Sequence, residues 1–63
     1  MSTRRERMEK ERDWLRVRLE EECGLVSHPK ARRLFELAWE YGHASGIEEV
    51  AGYYRAMAEL LDD

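Results

Sequence analysis

Apolar side chains recur along this chain in three stretches, each with the three-to-four-residue spacing of a helix and not the alternation of a strand. In the first, Met8, Leu15, Leu19 and Cys23 make a narrow seam with Trp14 and Val17 off to its sides. In the second, Ala31, Leu34, Ala38, Tyr41 and Ser45 follow one face, flanked by Phe35, Leu37 and Trp39, while Arg32, Arg33, Glu36, Glu40 and His43 occupy the other. In the third, Ile47, Val50, Tyr54, Met57, Ala58 and Leu61 share one side, which Tyr53 and Leu60 extend to about half the circumference. The pattern predicts an all-α fold: a charged N-terminal helix plus a C-terminal helical hairpin, three helices in one small domain over residues 1–63, with residues 1–7 open to fraying.

Polar punctuation divides the stretches. Thr3-x-x-Glu6 is a capping box, in which the hydroxyl accepts from a backbone N–H and the carboxylate reaches back. Gly24 suits the left-handed position after a helix, and Leu25 is placed for the apolar contact that follows it. Ser27 or His28 is expected to cap the second helix, with Pro29 in its first turn. A further box, Ser45-x-x-Glu48, is expected to open the third, which runs to about Leu61. The link between the last two segments admits only a tight helical hairpin or corner.

Composition sharpens this. The chain has 63 residues, 43% of them apolar and 40% charged, so a lone copy has a small core to set against chain entropy. Trp14, Val17, Val50, Met57, Leu60 and Leu61 are more apolar surface than three short helices need, and predict self-association into a homo-oligomer. No apolar run approaches the roughly 20 residues of a membrane span. Residues 1–22 lack the apolar stretch of a signal peptide, and a single cysteine forms no internal disulfide, so a cytoplasmic, reducing setting is expected.

Charge is unevenly placed. Residues 1–18 carry seven bases against four acids; Glu20, Glu21 and Glu22 cancel that excess, and residues 23–63 carry four bases against seven acids. Glu6–Lys10, Glu9–Arg12 and Asp13–Arg16 are spaced to pair along a helix, which makes the first segment a solvated, ion-paired rod in preference to a nucleic-acid arm. The third segment exposes Glu48, Glu49, Arg55, Glu59 and Asp62, a face that DNA would repel, so sequence-specific DNA reading is not expected.

Candidate chemistry is sparse. Glu40 and His43 have the i,i+3 spacing of metal-binding bundles, with Glu20 to Glu22 as further ligands, but they fall on the polar face where a solvated pair needs no function. Cys23 sits on the apolar seam at a helix C-terminus, an environment that disfavours thiolate. Trp39, Tyr53 and Tyr54 offer flat faces, and Arg32, Arg33 and His43 offer cationic donors, together a candidate pocket for a small nucleotide. No nucleophile–base arrangement or phosphate-cradling glycine loop can be assembled, so no catalysis and no cofactor are expected.

His28-Pro29-Lys30, Leu34-Phe35-Glu36-Leu37-Ala38-Trp39-Glu40, Gly42-His43, Ser45-Gly46, Glu49-Val50, Tyr53-Tyr54 and Leu60-Leu61 together resemble a group of small tailed-bacteriophage accessory proteins over about residues 28–61. The resemblance implies a product made in the cytoplasm of a bacterial host, acting by binding and disabling a host macromolecule or by sequestering a nucleotide-like defence messenger. Arg32, Arg33, Trp39, Glu40, His43, Glu49 and Tyr53 are the candidate partner- or ligand-binding residues; of these Trp39, Glu40, His43, Glu49 and Tyr53 match the group's pattern. The leading expectation is a non-enzymatic, self-associating accessory protein. A nucleotide sponge and a carboxylate/His metal bundle are the alternatives.

Overall fold

The computed structural model describes residues 3–61 and shows three α-helices: α1 (Arg4–Glu22), α2 (Ala31–Gly42) and α3 (Ile47–Glu59). The expected α1 boundaries form as written in the sequence. Thr3 Oγ1 accepts from the Glu6 N–H (3.2 Å), and Glu6 Oε2 accepts from the Thr3 N–H (3.4 Å). At the other end Gly24 takes a φ of 72°. Its N–H donates to the Glu21 carbonyl (3.2 Å) and that of Leu25 to the Glu20 carbonyl (2.8 Å), a Schellman closure that tucks Leu25 into the core.

The other two caps differ from expectation. Pro29 and Lys30 form a turn and α2 begins only at Ala31, capped by no side chain. His28 Nδ1 instead accepts from the Lys30 N–H at 3.1 Å, steadying the turn before the helix. Ser45 does not cap α3. Gly46 stands at that position with φ 111° and ψ 173°, a conformation that L side chains rarely adopt, so the chain enters α3 through glycine geometry in place of a hydroxyl. Asp62 lies outside the described residues.

The core gathers Leu15 and Leu19 from α1, Leu25 from the link, Ala31, Phe35 and Ala38 from α2, and Val50, Ala51, Tyr54 and Ala58 from α3. Its centre is Phe35 packed edge-on against Tyr54, ring centroids 5.9 Å apart. The buried row of α2 is Ala31–Phe35–Ala38–Gly42, one step around from the row drawn through Tyr41 and Ser45. Tyr41 is 69% exposed, and Ser45 lies in the turn after the helix. The buried row of α3 is Val50, Ala51, Tyr54 and Ala58, so the half-circumference of apolar residues is only partly used inward. Val50, expected to help in self-association, is 0% exposed and belongs wholly to the core.

One close approach sets the hairpin. A Cβ on Gly42 would stand 2.9 Å from the Val50 nitrogen and 3.0 Å from its Cα, so the backbones of α2 and α3 meet where no side chain fits. Gly52, on the exposed side of α3, has nothing within 4 Å of its would-be Cβ. Opposite outcomes are expected for the two alanine variants in thermal or urea denaturation. Gly42→Ala loses about 1–3 kcal/mol through overpacking, whereas Gly52→Ala gains about 0.5–1 kcal/mol from helix propensity. Equal effects of the two would contradict this packing.

Candidate functional site

α1 outlasts its support. Its 19 residues rise about 28 Å against 12 and 13 residues in its neighbours, only Leu15 and Leu19 along it are buried, and Trp39 of α2 is what borders its first turns, beside Arg5 and Met8. Every residue from Thr3 to Glu11 is exposed. Trp14 is 55% exposed, with the Arg18 guanidinium 5.3 Å from its ring centroid, and Val17 is nearly half exposed beside it. Of the other residues expected in self-association, Leu60 is 82% exposed while Met57 and Leu61 are half-buried.

The charges of α1 oppose its own dipole. Arg4, Arg5 and Arg7 stand at the partly positive end, with Glu6 as the acid of that turn; Glu20, Glu21 and Glu22 stand at the partly negative end, whose last turn holds no base. Each such placement costs about 0.3–1 kcal/mol at a surface. Relief within the chain is partial. Arg55 of α3 reaches Glu22 Oε1 with Nη2 at 2.9 Å and Nε at 3.0 Å, a cross-helix pair that one-segment reasoning about Arg55 does not find. The expected pairs Glu6–Lys10, Glu9–Arg12 and Asp13–Arg16 are not formed within 4 Å among the described residues. Glu6 is committed to the capping box, and the pairs present are Arg5–Glu9 (3.5 Å) and Arg12–Asp13 (3.6 Å).

The binding candidates on α2 separate into two sides. Arg33 pairs with Glu36 at 3.5 Å on the exposed surface. Arg32 and Trp39 line one cleft of about 310 Å³ between α2 and α1, together with Arg12, Asp13, Arg16, Phe35 and Glu36. Arg12 and Arg16, one turn apart on α1, were not among the expected ligands; their spacing was visible, but only packing sets them opposite Arg32. Trp39 stands in a ladder of rings, Phe35 one turn before it (6.2 Å) and His43 one turn after (5.9 Å, planes 14° apart). His43 Nδ1 also lies 2.9 Å from the Trp39 carbonyl oxygen, to which the ring donates at the end of α2.

These contacts correct two readings. Tyr54 is no stacking platform, because it is 0% exposed at the centre of the core, and Trp39 stacks on its own neighbours. Among the described residues no three His, Cys, Asp or Glu side chains converge as a metal site, and His43 turns to the indole and the Trp39 carbonyl, so the metal-bundle alternative finds no ligand set. Glu40, Glu49 and Tyr53 are exposed, and none of them lines the arginine cleft. Burial, with Glu22 second, raises the thiol of half-buried Cys23 above its ordinary pKa while Arg55 opposes, the direction that disfavours a thiolate.

Fold and surface define a small three-helix protein with an overhanging, charge-segregated first helix. The chain belongs to a family of unknown function, DUF8546, whose profile matches residues 2–62. The match spans all three helices, so α1 is part of the family unit and not an appendage to the hairpin. No curated protein and no solved structure matches the chain. No helix among the described residues is long and apolar enough to cross a membrane.

Tyr54 carries one further cost: its hydroxyl is buried with no hydrogen-bond partner among the described residues. Burial first, then the charges of Glu20 and Cys23, push its pKa up to about 12 from 10.0. The neutral form is favoured in the fold, so this contribution is intact below pH 10 and is lost as pH rises towards 12. Tyr54→Phe is expected to raise stability at pH 7 by about 1 kcal/mol and to lessen the fall in stability between pH 10 and 12. Parallel denaturation of the two proteins across that range checks both; identical pH slopes would remove Tyr54 as the cause.

Proposed function

We propose that this protein is a non-catalytic docking module of the phage accessory type, which self-associates and then binds and disables a macromolecule in the cytoplasm of a bacterial host. The observation that carries this reading is the exposed Trp14–Val17 surface on a helix whose end charges oppose its dipole, an arrangement a lone copy compensates only at Glu22. The phage context rests on the resemblance over residues 28–61. Glu40, Glu49 and Tyr53 remain exposed for the host partner.

Sedimentation velocity of the full chain from about 5 to 500 µM is expected to show a weak, concentration-dependent dimer of the affinity a small interface supports. Trp14→Ala is expected to shift it to monomer with helicity unchanged, since the indole lies outside the core. A 7.5 kDa species at every concentration would overturn the reading.

The arginine cleft favours a second, narrower reading in place of nucleotide stacking. Arg12, Arg16 and Arg32 line one cleft with Asp13 and Glu36, and neither Arg16 nor Arg32 has a carboxylate within 4 Å among the described residues, which leaves two guanidinium groups for a phosphate. In a thermal-shift titration, pyrophosphate at about one hundred times its Kd should stabilise the fold by about 2.7 kcal/mol, an effect lost in Arg32→Gln. No shift at millimolar pyrophosphate would dismiss this reading.

A further inference from the structure

Arg7, Lys10, Trp14, Val17 and Glu21 follow one another along α1 at alternating three- and four-residue steps, and every one is exposed. That is the spacing of a coiled-coil seam. It runs on the side of the helix away from Leu15 and Leu19, which already bury the inner face. Two apolar residues at its middle lie between bases on one side and an acid on the other, so the stripe is complementary to itself when reversed.

We infer that this stripe is the contact between two copies of the chain, their first helices packed side by side and antiparallel. The inference rests on the self-association proposed above and adds its surface and register. In an antiparallel seam the alternate steps of the two helices face each other. With the two-fold axis between Leu15 and Arg16, Lys10 faces the partner's Glu21, and Trp14 faces the partner's Val17. Symmetry repeats both contacts, giving two apolar layers closed at each end by an ion pair. On one edge Glu11 faces the partner's Arg18. On the other, Asp13 faces the partner's Glu20, the one like-charged pairing, and Asp13 already has Arg12 at 3.6 Å.

The alternatives are worse for a stated reason in each case. Parallel helices would set Lys10 on the partner's Lys10 and Glu21 on the partner's Glu21. An antiparallel register shifted by one heptad would put Lys10 against the partner's Trp14 and leave Glu21 opposite the partner's Thr3. Only the first register pairs both charges. It also sets a base, Lys10, against the acidic last turn of each α1, which itself holds no base and carries Glu21 against its own dipole.

Charge reversal with rescue tests the register. Lys10 and Glu21 are exposed, so neither reversal disturbs the core; far-UV circular dichroism verifies the fold. Sedimentation equilibrium of the full chain is expected to show Lys10→Glu and Glu21→Lys each weakening the dimer by about tenfold or more. The doubly reversed Lys10→Glu/Glu21→Lys chain should return to within about threefold of the original affinity, because the ion pair re-forms with its signs exchanged. A dimer indifferent to either single reversal, or weakened by both and not rescued, overturns this register while leaving self-association standing. A chain that is monomeric throughout overturns both.

Discussion

The meeting of two backbones at Gly42 and Val50 is the constraint on which the rest of this structure depends. With no side chain at Gly42, the end of α2 can touch the start of α3, and the hairpin closes within the four residues His43–Gly46. That closeness sets Phe35 across from Tyr54 and gives Leu15 and Leu19 a surface to lie on. The core is so small that burying one aromatic side chain, about 1.5–3 kcal/mol, is a large share of the stability such a chain commands. Even the Tyr54 hydroxyl, without a hydrogen-bond partner among the described residues, is tolerated there because the ring beneath it fills the centre.

α1 is held by a different balance. Two leucines, the Leu25 plug and the Arg55–Glu22 pair attach its C-terminal half, while its N-terminal half buries no side chain and has the capping box and the neighbouring Trp39 of α2. A helix that extends beyond its support, shows an indole to solvent and carries its charges in the wrong order for its dipole is poorly explained as a component of a monomer core. The same features are consistent with a helix whose second partner is another molecule. In the proposed dimer charge segregation has a purpose that composition alone cannot suggest, because a net charge of −3 conceals a dipolar rod.

Local signals in the sequence hold where they depend only on neighbours. Thr3 and Glu6 close a capping box, and Gly24 with Leu25 closes the other end of α1, because both motifs are built within a few residues. Ser45-x-x-Glu48 has the same spelling as a capping box and does not form one. There the backbone turns through Gly46 to satisfy the hairpin, and tertiary closure overrides a cap worth about 1 kcal/mol. The buried face of α2 lies one step from the Leu34–Tyr41 row for a related reason: Leu34–Tyr41 and Phe35–Gly42 fit the periodicity equally well, and the fold buries the row whose smallest residue lets α3 approach.

The sequence by itself therefore determined three helices, their approximate ends at α1, the hairpin connection and the reversal of charge along the first helix, since each follows from spacing and residue type over one or two turns. Tertiary structure alone decided that Val50 and Tyr54 are interior while Trp14 and Leu60 are not, and that Arg12 and Arg16 face Arg32 across a cleft. An apolar stripe states only that a face wants cover. Which part of it is covered depends on how near the neighbouring backbone can come, and that distance is a property of the assembled fold.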